Sequence, residues 1–223
     1  MNKKKIFVLA LAVCLIGILS VGTLAWFTAE DRAENKFLIA GSEDDEPNDI
    51  FSVDVWEVID ENGTKVGVGP DVIATKTYED ILPGDKWVKE PHIENTGAYD
   101  QYIRVTVTLS DLSAWEAAGL VDIDAEEVFV GFDATMWENV TRTEDAAADT
   151  ITYVLYYADK LAVGADITVF THIAIPTSLT AAQAVAFDDD GEAGFDIDVY
   201  AEAVQTRNVG DTALEAFTTV GLA

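Results

Sequence analysis

Apolar and polar residues alternate with a period of two along most of this chain. In "YIRVTVTL" the apolar positions Ile103, Val105, Val107 and Leu109 are separated by Tyr102, Arg104, Thr106 and Thr108. In "FDIDVYAEAV" Phe195, Ile197, Val199, Ala201 and Ala203 form one face, with Asp196, Asp198 and Glu202 on the other. "FSVDV", "ITYVLYY" and "DITVFTHIAI" behave in the same way. Alternation of this kind sets one face of each strand on a core and the other in water, and it favours antiparallel sheets. Turn signals separate the runs at Asn62-Gly63, Pro83-Gly84-Asp85, Asn95-Thr96-Gly97 and Asp190-Gly191. Helical patterning is minor. "SDLSAWEAAGL" starts at a Ser110 or Asp111 cap and ends at Gly119, and "TSLTAAQAVAF" and "DTALEAFTTV" are two further short candidates. The pattern predicts an all-β protein: one antiparallel β-sandwich over residues 42–223, with a few short peripheral helices.

The first residues follow a different rule. Lys3, Lys4 and Lys5 precede an almost wholly apolar run from Ile6 to Val21, and Thr23 and Ala25 supply small residues two apart. This is the order of a secretory signal, with cleavage expected after Ala25. Roughly 17–20 apolar residues also lie at the lower edge of what spans a bilayer, so an uncleaved anchor is the alternative. The single Cys14 lies inside the signal, so the mature chain is expected to hold no disulfide, cysteine nucleophile or zinc–thiolate site.

Charge narrows the partners. Removing residues 1–25 takes away three lysines and no acid, so the formal charge moves from −28 to −31 (−28 minus 3). Such a surface repels nucleic acid and anionic lipid, and it suits a salty or cation-rich exterior that screens the repulsion.

Catalytic signatures are missing. There is no HExxH, no GxSxG and no phosphate loop, and the two histidines, His92 and His172, are far apart in sequence. His172 sits in an apolar strand and reads as a packed or edge residue. Asp188, Asp189, Asp190 and Glu192 place oxygen ligands around a glycine turn without the spacing of an EF-hand loop. Weak binding of calcium or other divalent cations by the acidic surface is expected in preference to one defined site, and no other cofactor is implied. Two N-x-T sequons, at Asn62 and Asn139, are glycosylation candidates if the chain is exported. Trp56, Trp87, Trp115 and Trp137 are scattered and read as packing residues, not as a sugar-binding platform.

The stretch "GTLAWFTAEDRAENKFLIAG" resembles the start of the TasA/camelysin family of secreted proteins, through Gly22, Thr23, Ala25, Phe27, Asn35, Phe37, Ala40 and Gly41. A second similarity lies in "ILPGDKWVKEPHIENTGAYDQYIRVTVTL", carried by Pro83, Gly84, Asp85, Lys89, Pro91, Asn95, Thr96, Gly97, Tyr102, Arg104 and Val105. "VYAEAVQT" is a third, weaker one. The acidic, proline-containing insertion "SEDDEPND" after Gly41 departs from the family's pattern.

The resemblance implies a jelly-roll-like sandwich, processing by a SipW-type signal peptidase, and assembly into extracellular fibres of a biofilm matrix, related to archaeal bundling pili. The partner it implies is the chain itself, polymerised head to tail, with accessory matrix proteins as further partners and no nucleic acid. The implied mechanism is donor-strand complementation by the mature N-terminal segment, residues 26–41. In this sequence Trp26 and Phe27 would be one apolar anchor, and Phe37, Leu38 and Ile39 a second. Phe37–Ile39 completing the subunit's own sandwich is the alternative. A secreted or cell-surface structural protein is therefore expected, and not an enzyme. A monomeric secreted or envelope-associated binding module is the competing class. The metallopeptidase activity described for camelysin-like members does not transfer, because no zinc-binding histidine pair is present.

Overall fold

The computed structural model describes residues 28–31, 52–68, 82–120, 128–180, 183, 187 and 195–222. These residues form antiparallel sheets that make a β-sandwich, as the alternation predicts. The strands are β1 (Thr28–Asp31), β2 (Val53–Val58), β3 (Lys65–Val66), β4 (Lys86–Val88), β5 (Glu90–Asn95) and β6 (Gln101–Ser110). After them come β7 (Phe129–Val130), β8 (Trp137–Asp145), β9 (Thr150–Tyr157), β10 (Asp166–Thr168), β11 (His172–Ala174) and β12 (Ile197–Gln205). Two short helices, α1 (Leu112–Ala117) and α2 (Ala213–Thr219), lie among them.

One layer is a five-stranded sheet in the order β1-β12-β6-β9-β8. The other layer consists of a four-stranded sheet, β10-β5-β2-β3, and a three-stranded sheet, β4-β11-β7. These last two are joined through their chains: β4 runs into β5 past Lys89, and β10 runs into β11 past Val169–Thr171. Two hydrogen bonds carry the ladder over the junction, Lys89 N–H to Thr171 O (3.3 Å) and Val169 N–H to Pro91 O (2.9 Å). "DITVFTHIAI" therefore supplies strands to two sheets, and Val169 and Phe170, adjacent in sequence, are both buried where the chain crosses over.

The core lies between the layers. Ile103, Val105, Val107 and Leu109 of β6 face Ile93 of β5, Ile167 of β10 and Ile173 of β11, with Trp115 of α1 fully enclosed. Each aliphatic side chain buried this way contributes about 1.5–3 kcal/mol. All four tryptophans named above pack into or against the fold: Trp115, Trp137 and Trp56 are buried, and Trp87 lies against the core. A second, smaller cluster sits on the outer face of the five-stranded sheet. There Ala213, Ala216 and Phe217 of α2 cover Tyr102, Tyr156 and Val204. Helix α2 begins as the sequence suggests: Thr212 caps it by accepting from Glu215 N–H (3.3 Å), and Glu215 reaches back to Asp211 N–H (2.9 Å).

Helix α1 corrects the expected cap. Asp111 occupies the cap position in a left-handed conformation (φ 64°) and its side chain makes no capping bond. Asp149, from the β8–β9 turn, does that job instead. Its backbone carbonyl accepts from Leu112 N–H (3.1 Å) and its carboxylate from Ser113 N–H (2.7 Å) and Ser113 Oγ (2.9 Å). Of the remaining helical candidate, "TSLTAAQAVAF", residues 177–180, 183 and 187 are described: Gln183 N–H donates to Thr180 Oγ1 (3.3 Å) and Thr180 N–H to Gln183 Oε1 (2.8 Å).

Candidate functional site

The segment just after the expected cut forms β1, at one edge of the five-stranded sheet. Thr28, Ala29, Glu30 and Asp31 stand opposite Val204, Ala203, Glu202 and Ala201 of β12. This strand lies on the polar spacer between the two apolar patches, not on either patch. It is short, and in its register Glu30 stands opposite Glu202. β1 also runs alongside β2, so it closes one side of the sandwich between the two layers.

β12 makes an unusual edge. It pairs with β6 over its whole length, from Ile197↔Leu109 to Gln205↔Gln101, but with β1 only over Ala201–Val204. Ile197–Val199 have β6 on one side and no described strand on the other. The core-facing residues of the covered stretch are Ala201 and Ala203, both fully buried. There is no bulge along the β12–β6 ladder.

Arg104 of β6 fixes β12 from the other side. Its register partner is Glu202, whose carboxylate accepts from Arg104 Nε (2.6 Å) and is also met by Nη2. Both side chains are largely buried, 14% and 6% exposed. The guanidinium lies 4.8 Å from the Phe217 ring centroid and donates to Leu222 O, so one side chain ties β6, β12 and the C-terminal helix together. Burial opposes its charge, but hydrogen bonding to Tyr156 and Glu202 outweighs that and holds its pKa above the ordinary arginine value.

The opposite edge is built differently. In β8, Glu138 stands opposite Tyr156 and Thr141 opposite Val154, so Asn139 and Val140 together face the single residue Leu155. This is a β-bulge, and Asn139 takes a left-handed conformation in it (φ 50°). Farther along, Arg142 and Glu144 stand opposite Tyr153 and Ile151, on the core-facing side of the edge, and pair with each other at 2.7 Å. Burial opposes the Arg142 charge, and bonding to Glu144 and Tyr153 raises its pKa despite that. A bulge and inward-pointing charges are two of the devices by which sheets refuse further strands.

The block from Pro83 to Val105 is a structural frame. Leu82-Pro83-Gly84-Asp85 is a tight turn with Gly84 at φ 89°, closed by Asp85 N–H to Leu82 O (3.0 Å) and by Leu82 N–H to the Asp85 carboxylate (3.0 Å). Asn95 is fully buried and uses its whole amide. Its Nδ2 donates to Tyr99 O (2.9 Å) and Leu161 O (2.8 Å), and its Oδ1 accepts from Gly97 N–H (3.0 Å) and Gln101 Nε2 (2.6 Å). Lys89 forms a buried ion pair with Glu57 at 2.7 Å. Within this frame Glu57 Oε2 and Gln101 Oε1 are buried without a hydrogen-bond partner among the described residues.

His92 stacks on Trp56 (centroids 3.9 Å apart) and meets Asp166 (2.7 Å) and Glu90 (3.3 Å). His172 contacts the Thr171 hydroxyl (2.9 Å) and sits within its sheet. Among the described residues no three His, Cys, Asp or Glu side chains are grouped to hold a metal ion. Thr23, Ala25, Trp26, Phe27, Phe37, Leu38, Ile39, Asp188, Asp189, Asp190 and Glu192 lie outside the described residues. Asn62 and Asn139 are both exposed, Asn62 in the β2–β3 turn and Asn139 in the β8 bulge. Among the described residues no helix is long and apolar enough to cross a membrane.

No protein-family model matches the chain, and no curated protein matches it.

Proposed function

We propose that this protein is a secreted structural subunit that polymerises head to tail into extracellular fibres, with its mature N-terminal segment adding a strand to the β12 edge of the next subunit. The observation that carries the reading is the place of β1. The residues that follow the expected cleavage site pair with a strand that has no bulge and that they cover only over Ala201–Val204. A neighbour's longer segment could cover Ile197–Val204 in full, satisfying backbone groups that a four-residue strand leaves over. Because donor and acceptor are different surfaces, the contact does not close and a filament results. The resemblance of the N-terminal and Pro83–Val105 blocks to the TasA/camelysin family supports the same reading, as does the expected signal.

A monomeric binding module is the second reading, and one observation favours it: β1 is paired within its own chain. The two separate in one experiment. The mature chain starting at Trp26 and a variant lacking residues 26–34 are imaged by negative stain at low and high salt, beside N-terminal sequencing of the secreted protein. The fibre reading expects filaments from the first, more of them as salt screens the acidic surfaces, and monomers from the second. Filaments of normal length without the segment would sink the donor mechanism, and monomers from both in every salt would leave the binding module.

A further inference from the structure

We propose that Asn139 carries an N-linked oligosaccharide, and that this glycan shields the free edge of the five-stranded sheet. Both sequons are exposed, but the fold treats them differently. At Asn62 the turn is closed on itself. Asp60 Oδ1 accepts from Asn62 N–H (2.9 Å) and Thr64 N–H (3.0 Å), and Asp60 Oδ2 accepts from the Thr64 hydroxyl (2.7 Å). A transferase recognises an acceptor asparagine through the hydroxyl two residues on, and here that hydroxyl is engaged.

At Asn139 the arrangement is open. Asn139, Val140 and Thr141 are all exposed, Val140 to 43%. The bulge lifts two residues against one, so the acceptor leaves the ladder. β8 is the last strand of its sheet, so nothing described lies beyond it. The left-handed backbone at Asn139 gives a separate reason for an asparagine there, since Asn and Asp tolerate that conformation. It gives no reason for a threonine at 141.

The co-reactant is a lipid-pyrophosphate-linked oligosaccharide. Asn139 Nδ2 bonds to the anomeric carbon, the bond from that carbon to the pyrophosphate oxygen breaks, and the lipid pyrophosphate leaves with the electron pair. One Nδ2 proton passes to a base of the transferase, and nothing is oxidised or reduced. A bulky hydrated group at this point prevents another chain from laying a strand along β8, and so adds to the bulge and the inward charges. The proposal needs the export part of the function proposed above and does not need polymerisation.

The test uses full-length chain purified from the medium of the cells that make it. The variants are Thr141→Ala, which keeps Asn139 and its bulge, and Thr141→Ser, which keeps the sequon. N-terminal sequencing and glycopeptide mass spectrometry are run on the same samples. The expected result is a sugar mass on Asn139 in the parent and in T141S, its loss in T141A, no sugar on Asn62, and more lateral association in T141A. An exported chain with bare Asn139, a sugar on Asn62 instead, or a T141A chain that keeps the mass would overturn the assignment. T141A that loses the sugar and associates no more than the parent would overturn the shielding role. A chain that still begins at Met1 would overturn export, and this proposal with it.

Discussion

The two edges of the five-stranded sheet solve one problem in opposite ways. At β8 the strand guards itself with a bulge at Asn139–Val140 and with Arg142 and Glu144 turned to the core side. At β12 the strand carries small core-facing alanines and no bulge, and Thr28–Asp31, a separate segment of the chain, covers it over Ala201–Val204. A guarded edge ends a sheet. An edge that depends on a separate segment for cover invites exchange, because the same segment from another copy satisfies the same backbone groups. Under the proposed function, the difference puts self-association on the β12 side.

The comparison breaks most visibly through two arginines. Arg104 and Arg142 each pair with a glutamate, but the first pair is largely buried and the second is 27% and 38% exposed. Arg104→Ala leaves Glu202 buried without its cation and releases Leu222, and a loss of about 3 kcal/mol is expected, since breaking a buried pair costs 3–5 kcal/mol. Arg142→Ala is expected to cost about 1 kcal/mol or less, as exposed pairs do. Urea unfolding of the two variants in parallel checks this. Equal costs would mean that β12 is no more firmly held to the sheet than β8.

Removing the guard tests the other side. Arg142→Val with Glu144→Val, made in the chain lacking residues 26–34, turns β8 into an apolar edge. Sedimentation should then show association that rises with protein concentration, while the parent deletion variant stays monomeric. A double variant that also stays monomeric would show that the bulge alone, with whatever Asn139 carries, suffices.

These contrasts were only partly legible in the sequence. β6, β9 and β12 are long and each turns one apolar face to the main core, so their alternation shows directly in residues such as Ile103, Val105 and Val107. β8 was invisible to the same reading because an edge strand at the sheet's rim buries little: after Trp137 its residues are mostly exposed, and "WENVTRTED" has no apolar face. "DITVFTHIAI" looked like one strand because the crossover between sheets buries Val169 and Phe170 together and so hides the break. The cap of α1 is supplied by Asp149, many residues away, and no local pattern carries that. Asn95 read as a turn residue, yet its buried four-bond corner depends on Leu161 and Gln101 arriving from elsewhere. The two apolar patches drew attention at the N-terminus, whereas the pairing falls on Thr28–Asp31, whose short polar sequence has no strand signature of its own.

A smaller change sharpens the β12 side. Glu30→Thr puts a β-branched residue of higher strand preference at the position that registers with Glu202. Cross-strand pairs differ by about 0.2–1 kcal/mol, so a gain of about 0.5 kcal/mol in strand pairing is expected. Hydrogen exchange at the Ala201 and Ala203 amides reads it. Slower exchange supports β1 as a weakly held cover; unchanged exchange would mean that the residue at position 30 does not limit the pairing.

The smallest expected effect is at a third edge, the two-residue β3, which is held by turn chemistry and has no further strand beyond it among the described residues. Asp60 closes the β2–β3 turn, and hydrogen bonds from Thr64 and Asn62 hold its carboxyl pKa below the usual aspartate value. A depressed folded-state pKa means that the contribution is present above the unfolded value, about 3.9, and is lost as pH falls through the lower folded value. The group is fully exposed, so the effect is local. Between neutral pH and about 4 the turn should hold. Below that, the Ile59 amide, which donates to Thr64 O at 3.0 Å, should exchange faster while amides of β6 stay protected. An Asp60 carboxyl that titrates at its ordinary value by NMR would remove the turn's hold on β3 and leave that edge to be explained by packing against β2 alone.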